Sequence, residues 1–354
     1  MVTVSQYARH SRLSGSTELT DIWAARYFTK NSRLSTDEVA FSTCPLDYAT
    51  SPTGRRKTVE QLNRHIQHIC ILAAIRTKEL YTGYEILELK ETAKLSRFAA
   101  QIYPVLLKFY QTTTPITITV CQPKQPNVRN KALDIFGIPE MDTLINILDP
   151  YLEVFKAPQD SPTDWQKRSF LTTQISISNE LFLDSLNSVE QVLLKPYFDF
   201  LEEYVGIPWR RLCIAAENHS CTSSTFTLVE KMLLKIPEIS IAVYRKWCQQ
   251  FSHYYGRRGR LDHPSVVNSA LRDFDMFQVY LWICMLEGNL DAIEQELLLL
   301  CTLVYQGIGI PWEMTIQGVE LLVVEISKHL DSNEKAQAFP YAQQMLIAFS
   351  KPNL

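Results

Sequence analysis

Residues 265–286 read SVVNSALRDFDMFQVYLWICML. Val267, Ala270 with Leu271, Phe274, Phe277, Leu281 and Cys284 with Met285 recur at steps of three and four. That spacing puts apolar side chains on one face of an α-helix. Pro264 suits the first helical turn and Gly288 the position just past the last, so a buried helix is predicted between them. Asp273 comes three residues after Ala270, on the same side of that helix. A carboxylate bordering an apolar face must find donors or give up its charge. Arg272 is the plain partner, and on the residues alone the pair reads as a salt bridge at the edge of a helical core.

Outward from this helix, helical periodicity runs from about residue 170 to Ser350, broken only by short turns. Upstream, Thr58 with Gln61 has the form of a capping box, and Leu62, Ile66, Ile69, Cys70 and Ala73 follow it. Long helices are predicted over 58–82 and 90–111. The stretch TTTPITITVCQPKQPN, 112–127, alternates Thr and Ile among three prolines and reads as a strand or extended loop. KAPQDSPTD, 156–164, has linker composition. The polar stretch 1–57, with a Ser-Pro-Thr-Gly turn at 51–54, reads as a loosely attached arm holding one short helix near Thr20–Tyr27. The expected organisation is therefore a polar arm over 1–57, a mainly helical N-terminal domain over 58–165, and a helical domain over 166–354. Gly-Ile-Pro-Trp occurs at both 206–209 and 309–312, through a duplicated unit or through shared turn chemistry.

Composition narrows the function classes. Apolar residues make up 46% and charged residues 21% of 354, which is ordinary for a globular protein. A net charge of -3 offers no long-range attraction for nucleic acid or an anionic membrane, and no predicted helix carries a dense basic face. The runs Arg55-Arg56-Lys57 and Arg257-Arg258-Gly259-Arg260 read as solvated loops. No signal-peptide pattern opens the sequence, and the longest apolar runs fall far short of a membrane span, so a soluble cytoplasmic protein is expected. The eight cysteines are scattered through apolar stretches without a CxxC, and Cys213, His219 and Cys221 do not make zinc spacing; no metal site is expected. GxGxxG, P-loop, GxSxG and HExxH motifs are all missing, and Glu217 with His219 lacks a third member. No catalytic residue is predicted, and the expectation is a protein that is not an enzyme.

The stretch SALRDFDMFQVYLWICMLEGN resembles the chromophore helix of the phycobiliproteins. Leu271, Arg272, Asp273, Tyr280 and Gly288 stand where that family has Leu, Arg, Asp, Tyr and Gly. Without a gap, Tyr305, Gly309, Pro311, Gly318 and Val319 continue its Tyr…Leu-Gly-x-Pro…Gly-Val pattern, and the match spans about fifty residues. Three departures stand out. Ala270 takes the place of the bilin-attaching cysteine, so no thioether can form there; Glu287 and Asn289 replace a small residue and Asp. The family's paired arginines just upstream are also out of register, Arg257, Arg258 and Arg260 lying further back.

The resemblance implies an all-α, globin-like bundle in 166–354, of the kind in which the aspartate accepts pyrrole N–H bonds and the arginine neutralises a propionate. Charge-assisted hydrogen bonds of that kind are the strong ones. With Ala270 at the attachment position, Arg272 and Asp273 would hold a linear tetrapyrrole (a bilin) without a covalent link. Phe274, Tyr280, Tyr255, Tyr254 and Trp282 are the aromatic residues that would line such a site, although aromatics at helical spacing are also plain core. The implied role is non-enzymatic and lies in bilin or phycobilisome metabolism, as for the cyanobacterial globins of bilin biosynthesis, which also lack the cysteine. Its partners would be biosynthesis or assembly proteins. Phycobiliprotein domains pair through helices ahead of the globin core, so residues 170–200 would offer a surface for a homo-oligomer or a partner. Two alternatives stay open: an interaction scaffold without a ligand, and a haem-binding globin, for which His253 and His263 flank the helix start.

Overall fold

In a computed structural model, residues 15–27, 43–81, 89–121, 132–152 and 162–351 are described. Fifteen α-helices, one π-helical turn and two short antiparallel hairpins account for nearly all of them, so the fold is all-α as expected. The central helix, α12 (Pro264–Glu287), has Pro264 in its first turn and ends on Gly288 in the left-handed region at φ 70°. Every residue from Phe274 to Leu286 is buried, because neighbours pack on all sides: α9 (Trp209–Ala216), α10 (Ser224–Leu233), α11 (Ile236–Gln250), α14 (Trp312–Ser327) and α15 (Ser332–Ser350). A helix buried all round belongs in such a centre, with its two polar residues there, Asp275 and Gln278, hydrogen-bonded within the core.

The two departures after α12 have local structural causes. Glu287 accepts from both Nε and Nη2 of Arg211 on α9 at 2.7 Å. The Asn289 side chain accepts from the Asp291 backbone N–H at 3.0 Å, opening the π-helical turn Ala292–Leu297 that leads into α13 (Leu298–Ile308). Both copies of Gly-Ile-Pro-Trp separate helices: the first follows α8 (Ser188–Gly206), the second α13, where Gly309 adopts φ 76°.

Helix boundaries in the N-terminal half depart from the sequence reading, while the strand expected in the Thr/Ile stretch is present. The helix start placed at Thr58 lies earlier: Ser51 caps α3 (Pro52–Asn63) by accepting from Gly54 N–H, with Pro52 at the first position, so Ser-Pro-Thr-Gly is a helix entry. The single helix read over 58–82 is two, α3 and α4 (Ile66–Leu80), broken at His65; α5 (Leu89–Thr112) matches its predicted span. The Thr/Ile stretch forms β1 (Ile116–Cys121), paired with β2 (Ala132–Gly137), a partner no sequence signal announced.

The described part of the 1–57 segment is not loosely attached. Trp23 on α1 (Gly15–Ala25) is 1% exposed, its ring stacked on those of Tyr204 at 5.7 Å and Trp209 at 6.0 Å. The Arg26 guanidinium, over the Trp209 ring, pairs with Glu203 and with Asp275 of α12. Burial works against that charge, but Glu203 and Asp275 outweigh it and hold the guanidinium firmly protonated. Arg55, read as part of a solvated run, is buried and donates to the carbonyls of Tyr110 and Thr113.

Residues 170–200, expected to offer a pairing surface, are largely buried within the chain. Helix α7 (Pro162–Asp184) packs on α4, α5 and α13, and α8 on α7, α2 (Thr43–Thr50) and β2. Phe170, Leu171, Ile175, Phe182, Phe198 and Leu201 are each at most 1% exposed. The linker stretch 156–164 lies mostly outside the described residues, which resume at Pro162.

Candidate functional site

Helix α12 places Arg272 and Asp273 immediately before its fully buried stretch. Two residues further, Asp275 points the other way, to Arg26 and to Ser240 Oγ at 2.5 Å. The two carboxylates therefore serve different faces: Asp275 fixes α1 and α11, while Asp273 borders a cavity.

That cavity, about 160 Å³, has the liquid volume of about five waters. Helices α4, α7, α11, α12, α13 and α14 wall it, with the loop carrying the small hairpin β3 (Tyr255–Gly256) and β4 (Gly259–Arg260) at its mouth. Most of the wall is apolar or aromatic, including Trp247, Phe274, Phe277, Leu300, Val304 and Met314. Its charges are uneven: four arginines, Arg168, Arg257, Arg258 and Arg272, against the single carboxylate of Asp273. A concave apolar site with a few convergent polar groups is the usual form of a small-molecule site.

The polar groups are tightly arranged. Asp273 Oδ2 accepts from the Tyr305 hydroxyl at 3.0 Å, and Oδ1 lies 3.5 Å from Arg272 Nη2. Burial lifts the Asp273 carboxyl above the ordinary carboxylate range, against the pull of Arg272 and the Tyr305 bond. Arg272 Nη1 meets Glu202 of α8 at 2.5 Å, so this arginine has a counter-ion within the chain. Burial and the neighbouring Asp273 carboxylate push the Tyr305 hydroxyl well above its ordinary range, leaving it a hydrogen-bond donor at neutral pH. At the mouth, Arg257 donates to the carbonyls of Leu80 at 2.6 Å and Gly307 at 2.8 Å, and Arg258 lies 3.5 Å from Glu180.

Of the six residues singled out from the sequence, Arg272, Asp273, Ala270 and Phe274 line this cavity together. Tyr280 and Tyr255 do not. Tyr280 is fully buried on another side of α12, its hydroxyl 3.4 Å from Glu296, and Tyr255 is 74% exposed in the hairpin, while its neighbour Tyr254 lines the wall. Trp282 is also buried away from the wall. Sequence reasoning missed Arg168, Thr315 and the contribution of Leu80 and Tyr81 from α4. It read Arg257 and Arg258 as a solvated loop; Arg257 is indeed exposed and Arg258 half-buried, but both also line the cavity, and their clustering just ahead of α12 was the available signal.

The histidines weighed as haem ligands stand elsewhere. His253 is exposed, and His263 precedes α12 with its Nδ1 2.8 Å from Ser265 Oγ. Nε2 of His219 is 2.6 Å from the Leu286 carbonyl. Among the described residues no histidine lines the cavity, no group of three metal-ligating side chains occurs, and no helix is long and apolar enough to cross a membrane.

Comparison with known proteins agrees with the architecture. Residues 225–348, about a third of the chain and running from α10 into α15, match the family described as phycobilisome protein. No curated protein and no solved structure matches the chain. Over that segment the chain is phycobiliprotein-like, and its α10–α15 unit supplies much of the cavity wall.

Proposed function

We propose that this chain is a non-enzymatic, phycobiliprotein-related globin that binds a linear tetrapyrrole reversibly and acts in bilin or phycobilisome metabolism through that binding. The observation that carries it is the placement of Ala270, Arg272, Asp273 and Phe274 on one cavity wall. By the resemblance, Ala270 stands at the attachment position, so retention would be non-covalent. The lining chemistry suits part of such a ligand, the enclosed 160 Å³ taking one portion and the open side of the pocket the rest: apolar and aromatic walls for the pigment body, a carboxylate able to accept N–H bonds, and four arginines for acid groups. Bound there, the pigment would supply light absorption; the chain orients it and shields it from water. The same reading takes 166–354 as the globin-like unit and places the protein in the cytoplasm, with biosynthesis or assembly proteins as partners. Haem is disfavoured by a wall without histidine among the described residues.

Titration with phycocyanobilin tests this. A shifted bilin spectrum with wild type, weakened in Asp273→Ala, is expected; a spectrum unchanged by either protein refutes ligand binding.

A second reading, a ligand-free interaction scaffold, draws on one observation: Glu202 already satisfies Arg272, and Tyr305 already satisfies Asp273. Pull-down of protein partners carrying no pigment would favour it.

A further inference from the structure

Thr315 is 5% exposed, lines the cavity, and has no hydrogen-bond partner for its Oγ1 among the described residues. Burying a hydroxyl without a partner is costly, and folded proteins keep few such groups. Its place on the wall is set by α14. Gly318, one turn on, packs so closely that an added Cβ would lie 3.1 Å from the Phe274 ring and 3.6 Å from Trp247 Nε1. Residues three apart share a helix face, so Thr315 belongs to the face of α14 turned toward those two aromatic rings. The Trp247 N–H is committed to the Met314 carbonyl at 2.8 Å and does not serve Thr315.

The cavity's charges come from other elements. Arg168 is on α7, Arg257 and Arg258 in the hairpin loop, and Arg272 and Asp273 on α12; the residues that α14 contributes are Met314, Thr315 and Gly318, all uncharged. A neutral carbonyl or N–H would satisfy the hydroxyl without competing for those arginines.

We propose that Thr315 is a ligand contact that helps set specificity: its hydroxyl bonds a neutral carbonyl or N–H at the end of the ligand lying along α14, while the arginines take the acid groups. The assignment rests on the tetrapyrrole reading and adds a polar contact from a different helix than that of Asp273. A terminal lactam of an open-chain tetrapyrrole is a group of the required kind.

The test compares wild type, Thr315→Val and Thr315→Ser in titrations with phycocyanobilin and with its dimethyl ester, which keeps the lactams and loses the acid groups. Valine should weaken binding of both ligands by the same factor, roughly fivefold to tenfold, and serine should stay within about twofold of wild type. Thr315→Ala, expected to behave as the valine variant, serves if valine impairs folding, with melting temperatures as the control. Wild-type affinity in the valine variant, or serine as weak as valine, overturns the assignment and leaves the tetrapyrrole reading standing. No binding of phycocyanobilin by wild type overturns both.

Discussion

The Glu202 carboxylate lies 2.5 Å from the Arg272 guanidinium, so the arginine facing the cavity brings its own counter-ion from α8. An acidic ligand reaching Arg272 must share or displace that partner. Glu202→Gln should therefore raise the affinity for phycocyanobilin by about threefold to tenfold, an order set by hydrogen bonds to charged groups. The gain should vanish with the dimethyl ester. An unchanged affinity for the free acid would mean that Arg272 is not where acid groups bind.

Asp273 predicts a pH dependence of stability. Its carboxyl is raised above the ordinary range by burial. A raised carboxyl stabilises the fold below the unfolded pKa of about 3.9, and that contribution is lost as pH rises through the folded value. Denaturant unfolding of wild type and Asp273→Asn should show wild type gaining on the variant as pH falls from 7 toward 4. A difference that stays flat across that range would show that Asp273 titrates as an ordinary surface carboxylate.

Arg26 ties α1 to the core through Glu203 and Asp275. Removing one side of a buried ion pair strands the other, at a cost of about 3–5 kcal/mol. Arg26→Ala should lower unfolding stability by that order, and Trp23→Ala, which empties a fully buried site, by a similar amount. Equilibrium denaturation reads both; losses under about 1 kcal/mol would mean that α1 is dispensable to the fold.

The faces of α7 and α8 are covered by α4, α5 and β2. If the 40.8 kDa chain pairs in light scattering coupled to gel filtration, substitutions at the surface of residues 170–200 should leave the assembly unchanged. A dimer would require a different surface from the one at 170–200.

The sequence by itself determined the helical class and the central helix. The 3.6-residue periodicity of α12, its proline entry and its glycine exit are local properties, and local properties are written in adjacent residues. It also put Ala270, Arg272, Asp273 and Phe274 together, because one helix carries all four. What only the tertiary structure decided is which distant groups complete them. Glu202, 70 positions upstream of Arg272, and Tyr305, 32 downstream of Asp273, became partners through helix packing, not through any spacing along the chain. For the same reason Tyr255 and Tyr280 fell outside the cavity: an aromatic residue near the right helix carries no record of which side the neighbouring helices leave open. The attachment of Trp23 and Arg26 was equally hidden, since a short helix read from the sequence carries no record of the buried pocket elsewhere in the fold that receives it.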